Sequence, residues 1–235
     1  MLRICTICAR GGSKGVKNKN LRLILGKPLI AHSILQAKAS ELFDVIAVSS
    51  DSQEILQVAK EYGADVIVNR PAELATDTAA KLPVIQHCVT EVEKITGLIF
   101  DIMTDIDATS PLRNVQDLKK SIEILENNEH ATNLITGSPS RRSPYFNLVE
   151  KNSEGFVQLS KKMSAAIVRR QDAPKSFDMN ASIYVWKRDA FFNDASIVTP
   201  TTVLYEMPEE RSFDIDSELD FEFVSFLAEK RGSLL

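Results

Sequence analysis

The sequence predicts an α/β protein, a mostly parallel sheet with helices on both faces, and three observations carry that prediction. Leu2 to Ala9 is a dense apolar run of strand length that delivers the chain into a glycine-rich loop at Arg10. Apolar segments of strand length then alternate with longer segments of helical period, which is the βαβ rhythm. A further buried run, Leu98 to Ile106, stops abruptly at the polar turn Asp107-Ala108-Thr109-Ser110-Pro111. Ligands of such folds bind beyond the carboxyl ends of the strands.

The elements follow in order. Pro28 to Ala39 is the first helix, with Leu29, Ile30, Ile34, Leu35 and Ala39 at helical spacing and a proline that a first turn tolerates. Val45 to Val48 reads as a strand, Gln53 to Tyr62 as a helix stopped by Gly63, and Asp65 to Val68 as a short strand. Lys81 to Lys94 and Val115 to Leu125 carry helical patterns, and Ala131 to Thr136 is a strand. From Ser138 to Phe177 the alternation breaks into a polar insert holding Arg141, Arg142, Lys161, Lys162, Arg169 and Arg170, which reads as a small β-rich arm. Ala181 to Trp186 returns to strand character, and Ser217 caps a closing helix to Lys230.

The 235 residues suit one domain spanning 1–235, with 138–177 as the insert. No apolar stretch is long enough for a membrane span, and Met1-Leu2-Arg3-Ile4 enters a strand rather than a leader, so a cytoplasmic protein is expected. Cys5, Cys8 and Cys88 read as core residues, because positions three apart on a strand face opposite ways. His32, His87 and His130 lack metal-ligand spacing. A net charge of −4 argues against general nucleic-acid binding. Yet residues 1–40 hold eight of the 28 Lys and Arg and none of the 32 Asp and Glu, leaving 20 basic against 32 acidic residues, or −12, elsewhere. A local cationic patch on an acidic protein suits a small anionic ligand.

That patch is centred on Arg10-Gly11-Gly12-Ser13-Lys14-Gly15-Val16-Lys17-Asn18-Lys19-Asn20-Leu21-Arg22. Glycines let backbone N–H groups turn toward a polyphosphate while the cations neutralise it. Val16 after Gly15 excludes a P-loop, and the failed glycine spacing, with no acidic residue following the loop at the required distance, disfavours a nicotinamide oxidoreductase. Asp214 and Asp216, one residue apart on an extended segment, share a face and offer hard oxygens to a divalent cation. On spacing alone a solvated strand edge explains such a pair at least as well.

The Arg10–Arg22 segment resembles the N-terminal signature of the CMP-N-acylneuraminate synthetases, the cytidylyltransferases that activate sialic acids. The resemblance continues in order through Arg70–Ala79, Thr109–Arg113, Asn180–Tyr184 and Phe213–Asp220. It implies a Rossmann-like fold of the nucleotide-diphospho-sugar transferase type and displacement at the α-phosphorus of CTP by a sugar's anomeric hydroxyl, with pyrophosphate leaving. By the same resemblance Arg10, Gly11, Gly12, Ser13, Lys14, Lys19 and Asn20 hold the CTP phosphates and ribose, while Arg70 and the turn at Ala79 read cytosine. Asp214 and Asp216 hold Mg²⁺, for which Mn²⁺ substitutes, and Arg10, Lys19 and the two aspartates form the catalytic set. Arg170 lies near the sugar, and the arm is a dimerisation element, so a homodimer is implied. For Arg141 and Arg142 a solvated loop is as good a reading as a ligand role.

Two blocks depart from the sialic-acid pattern. Asp107-Ala108 stands where that pattern has Gln-Pro, and Phe177-Asp178-Met179-Asn180-Ala181 where it has Phe-Arg-Pro-Asn-Gly. With Ser143–Leu148 these resemble the branch that activates legionaminic acid, so Asp107, Asp178 and Asn180 join Arg170 as expected sugar contacts. Asp107 is alternatively a metal ligand. An ordinary CMP-N-acetylneuraminate synthetase and a non-catalytic nucleotide-binding protein are the competing readings.

Overall fold

A computed structural model describes residues 1–163, 169–193 and 196–235. The apolar N-terminal run forms β1 (Arg3–Cys8), and the basic loop follows it. A small antiparallel ribbon, β2 (Leu23–Ile24) and β3 (Lys27–Pro28), turns the chain through Leu25 and Gly26, both at positive φ, into α1 (Leu29–Ser40). Then come β4 (Val45–Ser50), α2 (Gln53–Glu61) with Ser52 accepting from the Ile55 N–H as its cap, β5 (Val66–Asn69) and α3 (Lys81–Thr96), which Gly97 stops in the left-handed region.

β6 (Ile102–Ile106) is shorter than the run that predicted it. Leu98 and Ile99 are exposed and only Phe100 turns inward, so the chain enters the sheet four residues later. α4 (Val115–Glu126) opens on a reciprocal capping box between Asn114 and Asp117, and β7 (Asn133–Pro139) follows. The insert leaves the sheet there, forms a hairpin of β8 (Val149–Lys151) and β9 (Val157–Leu159), and rejoins at β10 (Phe177–Lys187). After α5 (Arg188–Asn193) and β11 (Thr202–Glu206), α6 (Glu218–Arg231) ends the chain, capped by Ser217 as its sequence indicates.

The seven-stranded sheet has the order β11-β7-β10-β6-β1-β4-β5, parallel throughout except for β10, which runs against both neighbours. Side-chain alternation divides the core. Cys5, Ile7, Ile46, Val48, Leu134 and Val185 pack under α1, α2 and α4, whereas Ile4, Val45, Met103, Tyr184 and Trp186 pack under α3 and α5. Cys5 and Cys8 thus face opposite sides, and all three cysteines are free. A third cluster lies off the sheet, where Val16, Ile24 and Leu29 meet Ile215, Phe221 and Val224. It clamps the basic loop to the segment before α6. Among the described residues no helix is long and apolar enough to cross a membrane.

Candidate active site

The loops that leave the carboxyl ends of the parallel strands converge. Arg10 follows β1, Asp51 follows β4, Arg70 follows β5 and Asp107 follows β6. β1 and β6 flank the point where the chain, having built β4 and β5 on one side of β1, crosses to the other side, which is where open α/β sheets bind ligands. Two adjoining cavities lie here. One, of about 190 Å³, is lined by Ser13, Lys14, Lys19, Asn20, Thr109 and Asp216. The other, of about 280 Å³, is lined by Arg70, Thr76, Asp77, Ala79, Lys81 and Val84. Cys8, Arg10 and Asp107 belong to both walls, so the cavities are two ends of one groove.

The first end is cationic and backbone-rich. A Cβ at Gly15 would lie 1.9 Å from the Asp216 carbonyl oxygen, so only glycine lets the loop and the C-terminal segment touch backbone to backbone. Gly11 is tight against Ser52 and donates its N–H to Asp51 Oδ1 at 2.9 Å, whereas Gly12 faces open space. Lys19, nearly buried, donates to the Ile215 carbonyl and lies 3.5 Å from Asp216. Asn20 is buried and donates to the Arg10 carbonyl at 3.1 Å, and its own Oδ1 has no hydrogen-bond partner among the described residues. Arg10 and Lys14 both pair with Asp77. At the other end Arg70 is buried and fixed by the Ser49 carbonyl at 2.8 Å, and the Ala79 N–H closes a turn on Thr76.

Between the ends stands a group that motif reading missed. Lys81, the first residue of α3, sits 2.7 Å from Asp107 and 3.3 Å from Asp105 with its ammonium over the Tyr184 ring. Thr109 donates N–H and hydroxyl to the other Asp107 oxygen, both at 3.0 Å. Burial opposes ionisation of Asp107, but Lys81 and these donors override it and hold the carboxyl at about 2. Asp105, deeper still and bonded by Thr6 at 2.9 Å, is pushed up by burial. The two carboxylates hold Lys81 well above its ordinary range despite its own burial. The available signal was a lysine at a helix N-terminus, where the dipole disfavours a cation unless carboxylates compensate. Arg113, fully buried, ties this corner to the sheet by donating to the carbonyls of Asp107 and Ser110 at 2.7 and 2.8 Å.

Asp214 is half-buried and has no cationic partner among the described residues. Burial, then Asp216 and Asp107, raise its carboxyl above the usual range. No set of three or more His, Cys, Asp or Glu is placed to hold a metal among the described residues. Of the expected sugar contacts, Asp107 lies in the groove, whereas Asp178 and Asn180 do not line it. Asp178 is exposed at the start of β10 and accepts from Ser140 at 2.7 Å. Asn180 is buried, its amide engaged by Thr136, Ser182 and Ser212. Ala181 takes φ 52, the left-handed region natural to the glycine of the sialic-acid pattern. The Arg170 side chain lies outside the described residues. A further hollow, about 470 Å³ at the arm base between Arg142, Ser143, Gln171 and Phe177, shares no residue with the groove.

A family model described as cytidylyltransferase matches residues 4–235. The chain belongs to the cytidylyltransferase family. Two relatives align over nearly their whole length. The post-translational flagellin modification protein B of Campylobacter coli is 48% identical, covering 97% of this chain and 96% of the relative. The CMP-N,N'-diacetyllegionaminic acid synthase of Campylobacter jejuni is 49% identical, covering 95% and 94%. Among solved structures, a CMP:2-keto-3-deoxy-manno-octonic acid synthetase complexed with CTP superposes with a TM-score of 0.70 over 98% of this chain and all of that one, at 16% identity, a likeness of fold. This cytidylyltransferase is therefore a nucleotidyltransferase enzyme whose groove lies at the sheet's switch point.

Removing Lys81 strands two carboxylates. Lys81→Met is expected to lower the unfolding free energy by about 2–4 kcal/mol at pH 7, discounted for partial exposure of the lysine, and Lys81→Met with Asp105→Asn should recover part of it. In the wild type the Asp107 contribution is full above about pH 4, its unfolded value, and is lost as pH falls through about 2. Asp105, raised, acts in the opposite sense. Urea unfolding between pH 7 and pH 2 checks both points, and equal stability of the single and double variants would refute the coupling.

Proposed function

We propose that this cytidylyltransferase transfers CMP from CTP to the anomeric hydroxyl of a nine-carbon acidic sugar, N,N'-diacetyllegionaminic acid in first place. The observation that carries the proposal is the groove itself, cationic and backbone-lined at one end, closed by buried Arg70 and the Ala79 turn at the other. The first end suits a triphosphate and the second a pyrimidine, with the α-phosphorus between them beside Arg10 and Asp107. The sugar assignment is supported by the name of the 49% identical relative and by Asp107, a groove carboxylate where the sialic-acid pattern has an amide. Legionaminic acid carries a second nitrogen substituent at C7, whose N–H an acceptor can bind. Both substrates are small molecules met in the cytoplasm.

In the reaction the anomeric oxygen forms a bond to the α-phosphorus as the bond to the β-phosphate oxygen breaks. Arg10, Lys14 and Lys19 bind and orient the triphosphate and stabilise the charge that grows on the departing pyrophosphate. Asn20, in the wall of the same end, contacts the ribose. Asp214 and Asp216 fit a divalent cation by chemistry: hard oxygens, one of them destabilised first by burial and then by its carboxylate neighbours, which a cation would relieve. Magnesium bound by these two carboxylates would supply charge neutralisation and polarise the phosphate.

Three outcomes test this reading. Chelation, and Asp216→Ala, should each lower turnover at least a hundredfold while circular dichroism stays unchanged; retained rates in both would remove the metal role. Turnover should be higher with N,N'-diacetyllegionaminic acid than with N-acetylneuraminic acid, and Asp107→Gln should narrow the gap; the reverse preference overturns the sugar assignment. The hairpin exposes Leu148, Val149, Phe156 and Val157, which a second copy of the chain would cover. Sedimentation at assay concentration should therefore give a homodimer, and a fully active monomer excludes it.

A further inference from the structure

Each cation of the triphosphate end is already matched by an acid, and one acid matches two of them. Asp77 pairs simultaneously with Arg10 and Lys14. It stands in the short turn between the 3-10 helix Ala72–Leu74 and Lys81, flanked by Thr76 and Thr78, whose hydroxyls lie 3.4 Å apart. Its carboxylate reaches across from the wall of the second cavity to cations that line the first. Hydrogen bonds from Lys14 and Arg10 hold it below the usual carboxylate range, so it is ionised whenever the enzyme works. Its side chain is 44% exposed, so water can take over its contacts when it leaves.

We propose that Asp77 is an intramolecular stand-in for the nucleotide's phosphates: it occupies Arg10 and Lys14 in the empty enzyme, is displaced by CTP, and returns to help expel pyrophosphate. This rests on the reading that Arg10 and Lys14 bind the triphosphate. Displacement runs in the right direction because a triphosphate brings several negative charges against the single one on Asp77, and two cations favour the more highly charged partner. The return follows from the same competition, since a carboxylate tethered a few ångströms away acts at high effective concentration on every partial dissociation of the product. Because the turn carrying Asp77 also walls the second cavity at Thr76 and Ala79, releasing Asp77 frees that wall to adjust to the base. The carboxylate therefore weakens the binding of substrate and product alike.

Calorimetric titration of CTP, and separately of inorganic pyrophosphate, at fixed magnesium tests the idea without turnover. Asp77→Asn is expected to tighten both ligands by a similar factor of about two to ten, the range for two exposed ion pairs removed from competition. Asp77→Ser, which is too short to bond the phosphates itself, should do the same. The gain should vanish in an Arg10→Ala, Lys14→Ala background. Unchanged or weaker binding of both ligands by both Asp77 variants, while Arg10→Ala still weakens CTP, overturns the stand-in and leaves the phosphate assignment standing. Wild-type CTP affinity in both Arg10→Ala and Lys14→Ala would instead remove the phosphate assignment, and the stand-in with it.

Discussion

The Lys81 ammonium between Asp105 and Asp107 is the interaction on which the site's architecture depends. Three charges are taken largely out of water at the end of the central strands, and none is tolerable alone. Their mutual neutralisation fixes the start of α3 against the end of β6, and with it the turn through Thr109 that Asp107 holds. That turn in turn receives the Ile215 N–H at 3.0 Å. A single ion cluster therefore sets the distance between the wall carrying Ala79 and the wall carrying Asp216. Arg113, behind it, uses carbonyl oxygens rather than carboxylates, and burial pulls it down to about 10.

A second constraint is steric. The basic loop and the paired aspartates are about two hundred residues apart in sequence, yet they touch without intervening side chains, because position 15 has no Cβ. Val16 beside Gly15 supplies the apolar anchor, buried against Ile215 and Phe221. Alternation along Asp214-Ile215-Asp216 explains how one short segment does two jobs: Ile215 points into the cluster and the two carboxylates point away from it.

The parallel part of the fold was legible because buried parallel strands read as apolar runs and their helices as periodic ones. The basic loop was legible because its glycines and cations are contiguous. β11 and β2–β3 were not, since Thr202–Glu206 is only partly buried and a two-residue ribbon has no period to detect. Nor was the direction of β10: alternation fixes which face a residue occupies, not which way the strand runs. Lys81 escaped because its meaning lies in two carboxylates on another element, and Asn180 read as a ligand although its amide is engaged within the sheet.

Charge pairing inside the groove changes how the cationic patch should be understood. Counted along the chain, residues 1–40 are strongly basic, as if a bare positive surface awaited an anion. Folded, Asp77 meets Arg10 and Lys14, Asp216 meets Lys19, and Glu218 meets Arg22 at 2.5 Å. These cations are thus matched at short range, which spares the fold the repulsion of unmatched charges. On the reading proposed above, binding would be an exchange of partners rather than the filling of a positive hole. Such an exchange would favour ligands that can replace several carboxylates at once, so that selectivity for a polyphosphate would rest on the number and spacing of its charges as well as on direct contacts.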